Sequence, residues 1–384
     1  MSAPVPGIDR PLRIVQAAAF PFPSPQGSQV FVRGMARALA RRGHTVTVAC
    51  YAHGLGEADA DYGMVRTPRI PGYAKLRAGP DLIKPALDLA LAVRISQVPA
   101  DVVHAHNYEA SLAAVMSRRR TGVPVVYGAH NTMSEELHTY FQTAAARHIA
   151  RRVGHLMDRT IPRMADHALA LSPVGADTLA GLGCRSVSAV APGVDMDDLR
   201  CAEPEVLPGG PWVVYAGNPD RYQDLDVLIE AMRRVPEAGL LLVSASSLDD
   251  WVDCGLPRLR CITTTDFQRV KALMAGAQLA ALPRAVCSGY PIKLLNYLGL
   301  GLPTVAAAGS AQALPGVIAV PNRDADAMAA AIRGLLQNTE TRTALSIRAR
   351  AHVARECTWE ARAKELEGVY VAVLRRCGRM PDSP

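Results

Sequence analysis

The 384-residue sequence lacks the patterns by which several protein classes are recognised. Its eight cysteines are scattered and form no Cys-x-x-Cys pair, which argues against a zinc site or a redox motif. There is no Gly-x-Gly-x-x-Gly sequence, so a dinucleotide-dependent oxidoreductase is disfavoured. No apolar run is long enough to cross a bilayer, and no signal peptide precedes the first predicted strand. These absences lead us to expect a reduced, cytoplasmic protein.

Aromatic residues are also scarce, at 5%, and charged residues make up a modest 20%. Hydrophobic residues reach 49%, which argues against disorder and provides enough material for buried sheets. The chain is too long for one ordinary core and therefore predicts two domains. The net charge of +7 is uneven, because residues 1–200 hold 22 of the 42 basic and 16 of the 35 acidic side chains. This basic half would suit an anionic partner, although arginine-rich genome composition would explain it equally well.

Two stretches of alternating buried strands and amphipathic helices predict the fold. The first runs from a strand at residues 12–19 to a strand at 168–171. The second begins with a strand at 212–217, after the linker Pro208-Gly209-Gly210, and continues to a long C-terminal helical stretch. The alternation predicts an α/β protein with two Rossmann-like domains that face each other across a cleft.

A segment late in the chain has the composition of a phosphate site. Residues 287–297 read Cys-Ser-Gly-Tyr-Pro-Ile-Lys-Leu-Leu-Asn-Tyr, so the flexible Gly289 precedes a helix that carries Lys293 and Asn296. A helix start offers unpaired backbone N–H groups and the positive end of a dipole, and both suit a phosphate. Because Lys293 adds a positive charge there, the segment points to a nucleotide-sugar site.

A second glycine lies at the first strand-to-helix junction. Gly27 would let a diphosphate approach the start of the first helix, which we expect at residues 30–42. The alternative is a simple capped turn with Ser28 as the N-cap.

His-Asn pairs end two neighbouring strands. His106 and Asn107 follow one strand, and His130 and Asn131 follow the next. Neutral imidazoles and amides can exchange hydrogen bonds with sugar hydroxyls. We prefer a sugar site to a metal site, because no carboxylate lies between the pairs at ligand spacing. His104 is expected to be a buried structural residue.

The predicted helix at residues 145–165 is basic and amphipathic. Its basic residues recur at every fourth position, and its large apolar residues occupy another face. The basic set is Arg147, Arg151, His155, Arg159 and Arg163, and the apolar set is Ile149, Val153, Leu156 and Met157. Such a helix fits a membrane surface or, more commonly, a solvated outer face.

Together these motifs resemble the retaining family 4 glycosyltransferases, which have the GT-B fold. The resemblance covers nearly the whole chain, from Gly27-Ser28-Gln29 through Pro192-Gly193-Val194-Asp195 to the helix after Trp359-Glu360. It implies an acceptor-binding domain at residues 1–205 and a nucleotide-sugar-binding domain at 206–358. A C-terminal helix at 359–384 would cross back to the N-terminal domain.

The resemblance also implies roles for single residues. His130 and Lys293 would be catalytic, the first beside the donor sugar and the second beside its diphosphate. The acceptor or cleft residues would be His106, Asn107, Asn131, Gly193 and Asp195. The donor-binding residues would be Gly27, Ser28, Asn218, Arg221, Gln223, Arg284, Ser288, Gly289, Tyr290, Pro291, Ile292, Leu294 and Asn296.

Two departures from the usual family pattern remove charge. An arginine and a lysine are replaced by Asn218 and Gln223, and a glutamate pair is replaced by Ser288 and Asn296. A variant of the family with Gly-Asn, Tyr-Gln and Gly-Tyr-Pro-Ile-Lys-Leu-Leu-Asn-Tyr motifs matches this chain. Lys293, together with Arg221 or Arg284, would then neutralise the diphosphate.

We therefore expect a retaining glycosyltransferase that moves a hexosyl or N-acetylhexosaminyl group from a nucleotide-diphospho-sugar, with no metal or other cofactor. The acceptor is unidentified, and the basic N-terminal half favours a lipid or cell-envelope glycan. Its charge also favours contact with an anionic membrane surface on the inner face, and we expect no nucleic-acid partner. One alternative is a nucleotide-sugar 2-epimerase, which would need carboxylates that Ser288 does not supply. The other is a non-catalytic nucleotide-sugar-binding protein, suggested by the missing glutamate pair.

Overall fold

The computed structural model describes residues 10–24, 27–55, 59–73, 79, 81–200, 203–287 and 289–380. These residues form two compact units. The first contains the described residues up to Gly193, Gly289, Tyr290 and the helix that starts at Trp359. The second contains Val194–Cys287 and Pro291–Thr358.

The first unit is built on a parallel sheet. Its strands β1–β7 lie in the order β3-β2-β1-β4-β5-β6-β7. In chain order its elements are β1 Arg13–Ala18, α1 Gly27–Arg41, β2 Thr45–Cys50, β3 Gly63–Arg66, α2 Lys84–Ser96, β4 Val102–His106, α3 Asn107–Thr121, β5 Val125–Ala129, α4 Met133–Glu136, α5 Ala144–Thr160, β6 His167–Ala170, α6 Pro173–Gly181 and β7 Val187–Ala189. The strands β1, β4 and β5 are buried along almost their whole length, which is typical of a parallel sheet covered on both faces.

The second unit repeats this plan with a sheet in the order β10-β9-β8-β11-β12-β13, again parallel. Its elements are β8 Trp212–Ala216, α7 Leu225–Arg233, β9 Gly239–Ser244, α8 Asp249–Val252, β10 Leu259–Thr263, α9 Phe267–Ala275, β11 Leu279–Leu282, α10 Ile292–Gly299, β12 Thr304–Ala307, β13 Val317–Val320, α11 Ala325–Gln337 and α12 Thr339–Glu356. The prediction of two Rossmann-like α/β domains is therefore confirmed.

The last helix, α13 Trp359–Arg376, belongs to the first unit and packs against α1. The indole of Trp359 lies so close to Gly34 that a side chain at that position would collide with it. Glu367 of α13 is buried and accepts hydrogen bonds from Arg42 Nη2 at 2.7 Å and His44 Nε2 at 2.9 Å. Burial by itself would raise the pKa of Glu367, but these two partners hold it below its ordinary value.

Several elements differ from the sequence predictions. The helix expected at 145–165 ends at Thr160 and is followed by a separate 3₁₀ turn at Pro162–Met164, because proline has no N–H to continue the helix. The C-terminal helical stretch is interrupted between α12 and α13. The sequence did not predict β3, β7, β10 and β13, which are three to five residues long and carry partly exposed residues instead of a continuous buried run.

Candidate active site

Each unit has one position where the strand order reverses, between β1 and β4 in the first and between β8 and β11 in the second. In open α/β sheets, ligands bind at the carboxyl ends of the strands at such a position. His106 ends β4, and Gly217 directly follows β8. The residues that the sequence marked therefore lie at the carboxyl ends of these strands, in each unit considered separately.

In the first unit, His106 and His130 form a hydrogen-bonded pair, with Nδ1 of His106 3.0 Å from Nε2 of His130. His130 also meets the ring of Phe31 edge to face, with ring centroids 5.1 Å apart. Burial lowers the pKa of His130 to about 4 and holds that of His106 well below its ordinary value. Both imidazoles are therefore neutral near pH 7 and can exchange hydrogen bonds with a neutral sugar.

His104 lies beneath this pair and is fully buried, as expected for a structural histidine. Its Nδ1 lies 2.9 Å from the hydroxyl of Tyr370. Burial lowers the pKa of His104 to about 3, so this residue is also neutral.

The two asparagines near these histidines have local structural roles. Asn107 has a positive φ of 67°, and its Oδ1 accepts a hydrogen bond from the backbone N–H of His130 at 3.3 Å. Asn131 donates its side-chain amide to Glu136 at 3.1 Å. Glu136 is thereby engaged in the local structure. The helix α4 begins at Met133, with Thr132 in the N-cap position.

Sequence analysis missed a residue that supports this site, Asp158 on α5. Its buried carboxylate accepts hydrogen bonds from the backbone N–H groups of Met133 and Ser134 at 2.8 and 3.0 Å. It also accepts one from the hydroxyl of Tyr108 at 2.5 Å. The only sequence feature that could have indicated Asp158 is that it is a single acid within a strongly basic helix.

Two predicted donor-binding glycines also belong to the first unit. The helix α1 begins at Gly27, three residues earlier than predicted, so Gly27 and Ser28 form its first turn. Gly289 lies against the backbone carbonyl of His130, where there is no space for a side chain. Tyr290 packs against the core of the same unit. Ser288 lies outside the described residues.

In the second unit, Lys293 reaches from α10 to the carboxyl end of β8. Its Nζ donates to the hydroxyl of Tyr215 at 2.8 Å and to Oε1 of Gln223 at 3.1 Å. It also lies 4.4 Å from the centre of the Tyr215 ring and so close to Gly217 that a Cβ there would displace the ammonium. Desolvation, followed by repulsion from Arg284, lowers the pKa of Lys293 to about 7. Among the described residues, Lys293 makes no ion pair with a carboxylate.

The other predicted donor-binding residues near Lys293 differ in their exposure and in their contacts. Gln223 is buried, while Asn218 is exposed and its carbonyl accepts the Tyr215 hydroxyl at 2.8 Å. Arg284 lies over the ring of Tyr222 at 4.9 Å. Arg221 is exposed on the 3₁₀ turn Arg221–Gln223. Lys293 and Gln223 are thus in direct contact, and Asn218 joins them through Tyr215.

The start of α10 contains the remaining donor-binding candidates. Pro291 occupies the N-cap position without a side-chain cap, ahead of Ile292, and Asn296 is partly exposed. Leu294 is fully buried and its N–H donates to the Pro291 carbonyl at 2.8 Å, so it stabilises the helix. Tyr297, which the sequence did not single out, fastens α10 to β8 through hydrogen bonds with the N–H and carbonyl of Ala216 at 2.8 and 3.1 Å.

The two predicted cleft residues near position 194 are placed differently. Gly193 is buried at the end of the first unit's main segment. Asp195 begins a turn in the second unit, where its Oδ1 accepts hydrogen bonds from the N–H groups of Asp197 and Asp198 at 2.9 and 3.3 Å. The Asp195 carboxylate therefore has a local structural role.

Comparison with known proteins agrees with this architecture. The family described as Glycosyltransferase Family 4 matches residues 25–198, and the family described as Glycosyl transferases group 1 matches residues 210–338. The chain is 23% identical to a glycogen synthase of Mycobacterium tuberculosis over 79% of this chain and 75% of the relative. It is 24% identical to a phosphatidyl-myo-inositol mannosyltransferase of Mycolicibacterium smegmatis, with 94% of each chain covered.

Among solved structures, Anabaena HepE in complex with UDP-glucose is similar in fold, with a TM-score of 0.67 and 15% identity over 94% of this chain and all of the other. The two family matches fall on the two parallel-sheet units, one on each. The chain is therefore a glycosyltransferase of the family 4 type, with the GT-B fold.

Proposed function

We propose that this glycosyltransferase transfers a hexosyl or N-acetylhexosaminyl group from a nucleotide-diphospho-sugar with retention of configuration. The observation that carries the proposal is the environment of Lys293. Its two observed hydrogen bonds go to neutral oxygens, so the third ammonium proton is available to an anion. A diphosphate would supply the negative charge that this desolvated ammonium lacks.

The chemistry follows from where charge develops. Breaking the bond between the sugar and the diphosphate leaves negative charge on the phosphate oxygens, and a preorganised cation stabilises that charge. Lys293 and the N–H groups at the start of α10 would act in this way, without a metal. His130, neutral and close to Gly289, would hold the sugar through a hydroxyl.

The state of the carboxylates near His130 supports retention without a covalent intermediate. Inversion needs a carboxylate as general base and a retaining double displacement needs one as nucleophile, but Asp158 accepts three hydrogen bonds and Glu136 is paired with Asn131 and Tyr140. A reaction in which the departing phosphate guides the acceptor hydroxyl to the same face of the sugar needs no such carboxylate.

Donor identity can be tested by thermal-shift measurements with UDP-, GDP- and ADP-sugars, since a ligand that binds only the native state raises apparent stability. Released nucleotide is then measured with the donor that binds. Transfer with retained configuration, read by NMR of the product, supports the proposal. Epimerised donor without nucleotide release would establish the 2-epimerase. Binding without turnover, with every acceptor tried, would establish the non-catalytic binding protein.

The acceptor that we propose is a lipid-linked or cell-envelope glycan, reached from an anionic membrane surface. The support comes from α5, whose buried face consists of Ala150, Gly154 and Asp158. Three of its large apolar residues, Ile149, Val153 and Leu156, point outward instead, and Ile149 and Leu156 are each 63% exposed. The fourth, Met157, packs against the core. An apolar ridge of this kind normally packs into a core, so its exposure favours insertion at a lipid interface.

The charge of α5 favours anionic lipid. Its arginines at positions 147, 151, 152 and 159 are exposed, and its one acid is the buried Asp158. No disulfide joins the cysteines in the described part of the chain, which fits the reducing cytoplasm. No helix in the described part of the chain could span a bilayer. We therefore propose peripheral association with the cytoplasmic face of a membrane.

Replacing both Ile149 and Leu156 with glutamate should reduce binding to phosphatidylglycerol-containing vesicles by at least about tenfold in a flotation assay, because the ridge loses its apolar area. Val174→Glu is the matched control, since Val174 is 74% exposed on α6 of the same unit. Equal loss in both proteins, or equal binding to neutral vesicles, would show that α5 is an ordinary solvated helix.

A further inference from the structure

A line of buried hydrogen bonds connects the C-terminal helix to His130. The Gln16 side chain on β1 donates from Nε2 to the hydroxyl of Tyr370 on α13 at 3.2 Å. Its Oε1 lies 2.5 Å from Nε2 of His106, and His106 Nδ1 lies 3.0 Å from His130 Nε2. Gln16, His106 and Tyr370 are fully buried, so water does not compete for these bonds.

The direction of this line follows from its donors and acceptors. The amide oxygen of Gln16 can only accept, so His106 carries its proton on Nε2. The neutral His106 then has a lone pair on Nδ1, which must accept a proton from Nε2 of His130. His130 is left with a lone pair on Nδ1, and this atom bonds to no other described residue.

We propose that Gln16 and His106, held in place by Tyr370, are positioning residues that keep His130 protonated on Nε2 and free to accept a hydrogen bond at Nδ1. The inference rests on the proposed function, because the hydrogen-bond donor for Nδ1 would be a hydroxyl of the transferred sugar. In the opposite tautomer, Nδ1 of His130 would donate, and a sugar hydroxyl could bond to it only as an acceptor.

The surroundings of the line contain few groups that could disturb it. His104 adjoins it through Tyr370 at 2.9 Å and is neutral. Phe31 and Trp359 contribute apolar rings, and Phe31 contacts both His106 and His130. Glu367, on the same helix as Tyr370, is paired with the Arg42 guanidinium and lies within hydrogen-bond distance of His44.

The tautomer can be read without any activity measurement. In the full-length protein labelled with ¹⁵N-histidine, long-range ¹H–¹⁵N spectra distinguish a protonated Nε2 from a protonated Nδ1, and a His130→Gln variant assigns the signal. We expect His130 and His106 both to be protonated on Nε2. His130 protonated on Nδ1 would overturn the inference, whether or not the protein transfers sugar.

A kinetic test separates positioning from packing. Tyr370→Phe keeps the ring but removes the hydroxyl that orients Gln16, and we expect kcat to fall about tenfold with unchanged affinity for the nucleoside diphosphate of the donor that binds in the thermal-shift screen. Tyr62→Phe is the matched control, since Tyr62 lies in the same core and donates its hydroxyl to Asp59 instead. Equal kcat values for the two variants would contradict a positioning role.

Gln16→Glu adds a pH readout. A buried carboxylate would raise the pKa of His106, and a doubly protonated His106 would donate from Nδ1 and force the proton of His130 onto its own Nδ1. The variant should therefore lose kcat progressively as pH falls from 8 to 6, while the native enzyme shows no such loss. A uniform loss at every pH would indicate structural damage and overturn the inference.

The proposed function is tested separately, by the activity of the native enzyme. If the native enzyme is inactive with every donor, the proposed function is wrong, while the NMR measurement still tests the tautomer of His130.

Discussion

Replacing Lys293 with alanine is expected to lower kcat/KM for the nucleotide-sugar on the order of 100-fold, the usual effect of removing one donor to a developing anion. The side chain sits in a partly enclosed position between Tyr215 and Gln223, and no described carboxylate pairs with it. The fold should be retained, because the buried contact between α10 and β8 is made by Tyr297. Steady-state kinetics and a thermal melt of both proteins measure these two effects.

The same lysine predicts a pH dependence of binding. Its pKa of about 7 in the free protein means that about half of the molecules carry the ammonium at that pH. A bound diphosphate favours the charged form and raises this pKa, so binding should take up a proton. Affinity for the nucleoside diphosphate of the donor that binds should therefore increase as pH falls from 8 to 6.5, and calorimetry in buffers of different ionisation enthalpy should detect the proton.

Arg348→Ala is the control for both measurements, since Arg348 is an exposed cation on α12 of the same unit. A generic loss of positive charge would affect the two variants alike. Unchanged kinetics in Lys293→Ala, or affinity that does not vary with pH, would remove this lysine from the diphosphate site.

The second large effect is expected for His130→Ala, with a fall in kcat on the order of 100-fold and a nucleoside diphosphate dissociation constant within about twofold of the native value. The reason is that His130 belongs to the first unit, beside Gly289, whereas the lysine site lies wholly in the second. Because the pKa of His130 is about 4, its imidazole should contribute no change in rate between pH 6 and 8.

A suitable comparison is His167→Ala, which removes another buried, neutral histidine from the same sheet. His167 bonds to the hydroxyl of Ser186 at 2.8 Å, at the start of β6 and away from the carboxyl ends of β1 and β4. If both variants lose kcat equally, the effect reflects general destabilisation and His130 is a structural residue.

Much of the fold was predictable because local sequence carries it. Buried parallel strands are continuous apolar runs, so the strand predicted at residues 12–19 is found as β1 at Arg13–Ala18. Short edge strands such as β7, with half-exposed residues, lack that signal. Gly289 and Lys293 could likewise be predicted as parts of one site from a single segment, because the start of a helix is a local feature of the sequence.

The amino-acid sequence by itself determined the succession of strands and helices, and the segment in which a glycine precedes a helix that carries a lysine. It also determined that neutral residues replace charged residues that are usual in the family. Neighbouring residues in the chain decide these properties. Only the tertiary structure decided what each polar group meets. It brought Gln16 to Tyr370 across 354 positions and Lys293 to Tyr215 across 78. Strand pairing within the sheets and helix packing bring such residues together, and no periodicity along the chain predicts which residues will meet.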